Sequence, residues 1–278
     1  EIGAPIVQYK VCSTFDSAPH VGSIGQAIDL GIEATQAKWS PMVVGAPRLK
    51  RFQVFGQLFA GMHGTVYRID RHPTMSRHPV TPMDEADLRL HLAKQTNRRI
   101  DLIDISDISD SLAEKKRDEL EGDDQPVIMI DVTDWATQIE AGRLVWENRG
   151  KQVFSASSSG LQYALTAYWR DQGMLPSSQG LPVAEPVKCI AAVSGSCSPM
   201  SAEQLKWARS SGFHVTRLDI ARALSKDYSE EEIANQVENA INALTKGISP
   251  IVFSAEGPDD VAVLQFDRLA QDAGLTRT

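Results

Sequence analysis

A segment near the start of the sequence combines three hydroxyl side chains with one carboxylate. The run Tyr-Lys-Val-Cys-Ser-Thr-Phe-Asp-Ser occupies residues 9–17 and continues a strand-like stretch. In open α/β sheets, ligands bind at the carboxyl ends of the strands. Ser13, Thr14 and Ser17 could therefore hydrogen-bond a polyhydroxy ligand, and Asp16 could accept a hydroxyl proton. The alternative is that Asp16 and Ser17 only cap a turn.

A basic segment follows in an otherwise acidic chain. From Arg48 to Arg77 there are six Lys or Arg residues and one acid, Asp70, whereas the 278 residues together carry a net charge of −8. Arg48 follows a strand end, where a guanidinium could hold a carboxylate through two hydrogen bonds. Arg77 and His78 approach the same region if the intervening hairpin folds back. A solvated surface charge is the common alternative for any one of them, but the group as a whole indicates a small anion.

Two turns rich in serine and glycine each connect a strand to a helix. The run Val-Ser-Gly-Ser-Cys-Ser-Pro places Ser198 at the N-cap of a helix, and a similar Ser-Ser-Ser-Gly turn occurs earlier. Such turns direct backbone N–H groups and the positive end of a helix at a ligand, which suits a phosphate. The alternative is an ordinary connection, because neither GxxxxGK[ST] nor GxGxxG occurs. The residues that could face a phosphate are Ser159, Gly160, Gly195, Ser196 and Ser198.

Composition and charge exclude several classes of protein. An acidic chain is a poor nucleic-acid binder, because affinity for phosphate backbones depends on clustered Lys and Arg. The three cysteines show no CxxC spacing, which favours a reducing compartment. No apolar run approaches the roughly 20 residues of a membrane helix, and no secretory signal or metal-ligand cluster is evident. We expect a cytoplasmic protein without a membrane partner.

The elements that must position these residues alternate between strand and helix. This alternation predicts an α/β fold with parallel sheets and right-handed crossovers. Residues 52–69 are predicted to form hairpin strands, and Thr81 is predicted to cap a helix that runs to about Thr96. A capping box of Ser229 with Glu232 is predicted to open a later helix. Further helices are predicted at 23–38, 109–121, 135–148, 161–171, 200–210 and 260–273.

The alternation stops once, at a stretch with three prolines and no clear periodicity. We therefore predict a linker at residues 175–186. It would separate a first domain, residues 1–174, from a second domain, residues 187–278. The predicted fold class is α/β, with two open, mostly parallel sheet domains separated by a cleft.

Taken together, these segments resemble the four-carbon acid sugar kinase family. Its strongest signature, in the substrate-binding domain, is similar to the hydroxyl-rich run of residues 9–17. One departure is Ser157, which stands where the family's Gly-Ser-Ser-Gly stretch has its first glycine. The matching runs, in chain order, are residues 9–17 with 22–25, 44–48, 77–83, 158–161, and 194–198 with Gln204 at the opening of the nucleotide-binding domain.

The resemblance implies an ATP-dependent kinase of small sugar acids that also uses Mg²⁺. The γ-phosphate of ATP would pass to a terminal hydroxyl of threonate, erythronate or a 3-oxo-tetronate, and the chain could form a homo-oligomer. Asp16 would be the catalytic residue, and the turns at Ser159–Gly160 and Gly195–Ser198 would bind the nucleotide. The substrate would be held by Lys10, Ser13, Thr14, Ser17, Arg48, Arg77 and His78.

The sequence also departs from the family at both ends. The family opens with an Asp-Asp-x-Thr-Gly motif and closes with a Gly-Gly-x-Thr phosphate loop and a Gly-rich Lys segment, none of which occurs here. We therefore expect a chain that lacks both ends of the family and has little or no kinase activity alone. One alternative is a sugar-acid-binding, effector-like protein without turnover. Another is an NAD-dependent hydroxy-acid oxidoreductase, against which the missing GxGxxG counts.

Overall fold

The chain folds into two compact units. The computed structural model describes residues 3–78, 80–176 and 183–275, and the units comprise Glu1–Gln179 and Gly180–Thr278. Both units combine helices with sheets that are mostly parallel, which confirms the predicted α/β class with mostly parallel sheets. Residues 177–182, in the middle of the predicted linker, lie outside the described residues.

The first unit contains most of the secondary structure. Its strands are β1 Ile6–Lys10, β2 Ser40–Met42, β3 Arg51–Val54, β4 Gln57–Met62, β5 Thr65–Arg68, β6 Ile100–Ile103, β7 Val127–Ile130 and β8 Val153–Ser157. Its helices are α1 Ile24–Thr35, α2 Leu88–Ala93, α3 Ile105–Ser109, α4 Ala113–Leu120, α5 Trp135–Glu147 and α6 Ser159–Asp171, with short 3-10 helices at Pro47–Leu49, Ile69–Arg71 and Met75–Arg77.

Serine side chains of β8 connect two sets of parallel strands in the first unit. β1 pairs with β8, and β2, β7 and β6 form a second parallel set in the order β2-β7-β6. Ser155 Oγ donates to Pro41 O at 2.7 Å, and Ser157 Oγ accepts from Val43 N at 2.8 Å. β8 therefore lies beside β2, and the order across the unit is β1-β8-β2-β7-β6. The carboxyl ends of all five strands meet at one edge.

This layer has an apolar core on each face. Successive residues of β7 point to opposite faces, so that Met129 packs with Ile28 and Ile32 of α1, whereas Ile130 packs with Leu144 of α5. All four residues of β7 are buried, as expected for the interior strand of a parallel sheet.

The basic segment forms an antiparallel hairpin set, β3-β4-β5, as predicted. This set is fastened to the carboxyl edge of the parallel strands. Gln53 N donates to Val132 O at 3.0 Å, and Val132 N donates to Gln53 O at 3.1 Å. Because Val132 lies two residues after the end of β7, the hairpins are held beside the turns in which the predicted site residues lie.

The second unit is a smaller parallel sheet with the order β10-β11-β9. Its strands are β9 Ala192–Ser194, β10 His214–Arg217 and β11 Pro250–Phe253, and its helices are α7 Pro199–Ser210, α8 Ile220–Leu224, α9 Ser229–Thr245, α10 Val261–Leu264 and α11 Phe266–Asp272. Ser198 caps α7, as predicted, by accepting a hydrogen bond from Ser201 N at 3.1 Å. In the described ranges, no helix is both long and apolar enough to cross a bilayer.

The predicted helix from Thr81 to Thr96 was wrong in its first half. Thr81 N donates to His78 Nδ1 at 3.1 Å instead of entering a helix. Met83 N donates to Met75 O at 2.9 Å, and Ala86 O accepts from Leu58 N at 2.9 Å. Backbone groups of this stretch are therefore bonded to other segments, and α2 begins only after Asp87, its actual N-cap.

Three smaller predictions also need correction. The capping box of Ser229 with Glu232 is absent: α9 has no side-chain cap, because Glu232 instead accepts a hydrogen bond from Asp219 N at 3.0 Å. The predicted helix at 109–121 is replaced by α3 and α4, which are separated at Ser111, a residue with a left-handed φ of 59°. The predicted helix at 260–273 is divided into α10 and α11.

Candidate functional site

The hydroxyl-rich turn leaves β1 at the carboxyl edge of the first unit. Val11 N donates to Ser157 O at 2.9 Å and extends the pairing with β8, after which Phe15 N donates to Cys12 O at 3.0 Å and closes the turn. Phe15 takes a left-handed φ of 58°, and its side chain is fully buried. Anchoring of Phe15 therefore fixes the positions of Thr14 and Asp16 on either side of it.

Thr14 and Asp16 form the polar centre of this turn. The Thr14 hydroxyl donates to the Asp16 carboxylate and lies 3.0 Å from Cys12 Sγ. Asp16 and Ser13 are half-buried, and the Cys12 side chain is exposed. The structure thus brings together a carboxylate, two hydroxyls and a thiol on one short turn, where a polyhydroxy ligand would find both donors and acceptors.

Ser17 faces the protein interior. It is 2% exposed, accepts a hydrogen bond from Gln95 Nε2 at 2.9 Å, and donates to Phe15 O at 3.0 Å. His91 Nε2 lies 3.0 Å from the same oxygen. These three contacts use the full hydrogen-bonding capacity of a hydroxyl, so that Ser17 connects the turn to α2.

Arg51 is the residue at this edge that the sequence did not single out. Its Nη1 donates to Leu49 O at 2.9 Å and to Gly61 O at 3.3 Å, whereas its Nε is buried without a hydrogen-bond partner. Among the described residues it has no ion-pair partner. A guanidinium in this state is suited to bind a ligand carboxylate, which would supply the missing charge and acceptors.

Arg51 interacts electrostatically with the turn. Burial lowers the pKa of Arg51, and the nearby Cys12 thiol acts in the opposite direction. Burial also lowers the pKa of His72, and the Arg51 charge lowers it further. His72 Nδ1 accepts from Thr74 N at 3.2 Å and from Met75 N at 3.3 Å. Arg51 is therefore close enough to interact electrostatically with both Cys12 of the turn and His72 of the basic segment.

The cationic residues that the sequence did predict are either exposed or bonded within their own turn. Arg48 is exposed on the 3-10 helix Pro47–Leu49 and borders a separate cavity. Arg77 and Lys10 are also exposed. His78 Nδ1 accepts from Thr81 N at 3.1 Å and lies 3.0 Å from Thr81 Oγ1. These contacts give His78 a structural role in its own turn. Arg51 differs from the predicted arginines, Arg48 and Arg77, in being partly buried.

The predicted Ser159–Gly160 turn is tightly packed. Gly160 N donates to Ser158 Oγ at 2.8 Å, and Ser158 Oγ donates in turn to Val44 O at 2.7 Å. A Cβ at position 160 would lie 2.2 Å from Gly45 O. The glycine is therefore required for close approach of the chain segments, and its amide is already bonded within the protein. Ser159, at the first turn of α6, is half-buried.

The Gly195 turn of the second unit is open. A Cβ at Gly195 would meet no atom within 4 Å, and both Gly195 and Ser196 are exposed. Ser196 Oγ accepts from Ser198 N at 3.2 Å. This turn follows β9 at the carboxyl edge of its sheet and leads into α7, which is the usual geometry for contact with a phosphate.

A cavity of about 650 Å³ lies at the same edge of the second unit. Arg217 and Leu218, at the end of β10, line it together with Asp260 and Gln265. Arg217 Nη2 lies 2.8 Å from Asp260 Oδ2, and hydrogen bonding to Arg217 holds the pKa of Asp260 well below its usual value. This cavity could not be predicted from local sequence patterns, because the pairing of Arg217 with Asp260 spans 43 residues.

Family comparisons agree with this two-unit arrangement. Residues 1–165 match the sugar-binding N-terminal domain, and residues 191–278 match the nucleotide-binding C-terminal domain. The chain is 61% identical over 276 residues to "3-oxo-isoapionate kinase" of Paraburkholderia graminis, covering 99% of this chain and 59% of that protein. It is 30% identical to "3-oxo-tetronate kinase" of Methylobacterium radiotolerans, covering 95% of this chain and 59% of that protein.

Solved structures show the same fold. A Haemophilus influenzae protein of the DUF1537 family has a TM-score of 0.60 at 23% identity, covering 98% of this chain and 63% of that one. A protein from Salmonella typhimurium LT2 has a TM-score of 0.67 at 22% identity, covering 95% of this chain and 60% of that one. The chain spans about 59% of the length of the curated relatives named above. Because a family domain matches more than half of it, the chain belongs to the four-carbon acid sugar kinase family.

Proposed function

We propose that this protein is an ATP-dependent kinase that phosphorylates a terminal hydroxyl of a small sugar acid. The observation that carries this proposal is Arg51, a half-buried guanidinium that has no acidic partner in the described part of the chain and interacts electrostatically with the hydroxyl-rich turn. A sugar acid presents both a carboxylate and hydroxyls, so that one ligand would satisfy both features. Family membership supports the same assignment, because the relatives carry kinase names.

The proposed roles follow from the geometry of the turn. Arg51 would hold the substrate carboxylate, with Ser13 and Thr14 contacting its hydroxyls. Asp16 would accept the proton of the hydroxyl that is phosphorylated. The hydrogen bond from Thr14 orients the Asp16 carboxylate. Because Asp16 is half-buried, fewer water molecules compete with the substrate hydroxyl for it. Of the other predicted substrate contacts, Lys10, Arg77 and Arg48 remain predictions, because the described contacts do not join them to the turn.

The substrate class is proposed from the relatives' names. Both "3-oxo-isoapionate kinase" and "3-oxo-tetronate kinase" name a 3-oxo acid, and the identity is highest, 61%, for the former. We propose a 3-oxo sugar acid as the substrate. Threonate and erythronate, which lack the oxo group, are the closest alternatives. A 3-oxo group adds one acceptor, for which the Ser13 hydroxyl is a potential donor, because the Thr14 hydroxyl already donates to Asp16.

The nucleotide is proposed to bind the second unit at the Gly195 turn. Bound ATP would supply the phosphoryl group that is transferred. The open Cβ position of Gly195 leaves the backbone accessible to a phosphate, and the N-terminus of α7 favours negative charge there. Ser196 and Ser198 shape the turn through their own hydrogen bonds. The predicted contact of Ser159 and Gly160 with nucleotide stays a prediction.

Mg²⁺ is proposed as the ion that accompanies ATP. Within the described ranges, no three His, Cys, Asp or Glu residues gather as a metal site. Magnesium usually binds through phosphate oxygens, water and one or two carboxylates. An ion carried by the nucleotide therefore does not require a cluster of protein ligands. We assign no residue of this chain to it. A cytoplasmic location and a homo-oligomeric state likewise stay predictions from the sequence.

Calorimetry with this 278-residue chain tests the proposal. We expect a 3-oxo-tetronate to bind, and ATP with Mg²⁺ to bind independently to the second unit. Binding of the sugar acid without any binding of ATP would favour the effector-like alternative. Binding of NADH without ATP would favour the oxidoreductase. If neither sugar acids nor ATP bind at millimolar concentration, the proposed function is wrong.

A further inference from the structure

We propose that the groove bordered by Arg48 is a second ligand site, which takes a small organic phosphate carrying a ring. The groove lies on the first unit along α5 and α6 and has a volume of about 330 Å³. Its lining includes Arg48, Trp135, Gln138, Tyr163, Thr166 and Arg170, but neither Arg51 nor any residue of the hydroxyl-rich turn. The groove therefore shares no residue with Arg51 or the hydroxyl-rich turn, and the proposal assigns Arg48 to this groove instead of to the sugar acid.

The charge of the groove selects an anion. Arg48 and Arg170 both line it, and none of the described Asp or Glu residues does. Neither arginine forms an ion pair within the described residues. The chain as a whole has a net charge of −8, so a cavity whose two charged lining residues are both arginines is not typical of its surface. Two like charges at one cavity repel each other unless an anion neutralises them, and arginine forks match phosphate oxygens well.

The remaining lining residues favour a ligand that carries a ring in addition to its charge. Trp135, the first residue of α5, is 59% exposed, which leaves a large apolar ring in water. The Tyr163 hydroxyl can donate a hydrogen bond to a ligand, whereas the Thr166 hydroxyl already donates to Gln162 O at 2.7 Å and Gln138 Nε2 donates to Tyr163 O at 3.3 Å. An aromatic face stacks against a nucleobase or against the C–H face of a sugar. The volume is near the lower end of the range for small-molecule sites, which suits a single sugar phosphate or mononucleotide.

Two kinds of ligand share this chemistry, and three probes separate them. Inorganic phosphate tests the arginines alone, ribose 5-phosphate adds a sugar ring, and AMP adds a base. Each would be titrated calorimetrically into the wild-type chain, the double variant Arg48→Ala/Arg170→Ala, and Trp135→Ala. Arg71→Ala is the matched control, because it removes an exposed arginine of the same unit that does not line the groove.

The proposal predicts a specific pattern of losses. The double variant should bind all three probes at least about tenfold more weakly, as expected when hydrogen bonds to a charged group are lost. Trp135→Ala should weaken binding of the ring-bearing probes and leave inorganic phosphate unchanged, and Arg71→Ala should change nothing. If AMP binds more tightly than ribose 5-phosphate and the double variant loses this binding, the ligand is a nucleotide. If ribose 5-phosphate binds more tightly and the double variant loses this binding, the ligand is a sugar phosphate.

Two outcomes would overturn the proposal. One is that the double variant binds every probe as the wild type does, which would place any binding elsewhere. The other is that no probe binds the wild type at millimolar concentration. Thermal unfolding of each variant, monitored by circular dichroism, verifies folding. If the double variant is unfolded, Arg48→Gln/Arg170→Gln replaces it, since it removes both charges and keeps most of each side chain.

Discussion

Ser17 Oγ lies 3.0 Å from His91 Nε2, and this contact joins the hydroxyl-rich turn to helix α2. His91 is 4% exposed, and its Nδ1 is buried without a partner. Ser17 donates to Phe15 O, so His91 Nε2 is the donor in their contact. The turn is therefore joined to an interior histidine whose burial and unpartnered Nδ1 favour the uncharged ring.

This relationship predicts that acid destabilises the first unit. Burial lowers the pKa of His91, and the Lys94 charge adds to this effect, against weaker opposing effects of Asp84, the Ser17 contact and Glu85. The unfolded chain then takes up a proton at higher pH than the folded protein. The free energy of unfolding should fall as the pH drops below about 6.5, the ordinary histidine value.

Thermal unfolding between about pH 7.5 and about pH 5.5 measures this effect. His91→Gln keeps a side-chain donor for Ser17 but cannot titrate, so its midpoint should fall less with acid than that of the wild type. His72 also has a pKa lowered by burial and should account for part of the remaining slope. An equal decrease in wild type and His91→Gln would contradict the assigned role of His91.

A second prediction concerns Asp131, which fastens the basic hairpins to the parallel strands. Its carboxylate is fully buried and accepts hydrogen bonds from Gly56 N at 3.1 Å, Gln53 Nε2 at 3.1 Å and Ile105 N at 3.2 Å. Asp131→Ala would leave these donors unsatisfied. We expect a loss of about 3 kcal/mol in the free energy of unfolding, measured with urea.

The matched control for Asp131 is Asp124→Ala. Asp124 pairs with Arg99 on the surface, where an ion pair contributes little to stability. Its unfolding curve should stay close to that of the wild type. The role assigned to Asp131 would be wrong if both variants unfolded at the same urea concentration.

A third prediction separates folding from nucleotide binding at Gly195. Its φ is not left-handed, and an added Cβ would meet no atom within 4 Å. Gly195→Ala should therefore leave the unfolding midpoint unchanged. If a phosphate approaches this backbone, the methyl group should weaken ATP binding by about tenfold or more. Affinity for the sugar acid, measured on the same variant, serves as the control and should not change.

The arrangement of strands was largely predictable, because it rests on local patterns. Val127–Ile130 is continuously apolar, as the interior strand of a parallel sheet must be. Ser198 followed by Pro199 is a strong start signal for a helix and was confirmed in α7. Thr81 carried a similar signal, but its backbone and hydroxyl are bonded to His78. A local cap motif cannot reveal that a tertiary partner has taken its hydrogen bonds.

The sequence could predict the polar turn of the candidate site, but it could not predict which basic residue lies near that turn. The strand ending at Lys10 placed Thr14 and Asp16 at a carboxyl edge, and the structure joins these two side chains. Among the basic residues, however, the sequence offered no reason to prefer Arg51 over Arg48. The difference arises from burial, because packing of the hairpin against the edge removes Arg51 Nε from water.

Calorimetric titration of a 3-oxo-tetronate into Arg51 variants tests the central claim most directly. Arg51→Ala should weaken binding by about 10- to 100-fold through loss of charged hydrogen bonds to the carboxylate. Arg51→Lys should recover only part of this loss, because an ammonium cannot form the paired contact. Arg71→Ala, the exposed control, should bind as the wild type does. Unchanged affinity in a folded Arg51→Ala protein would contradict the account.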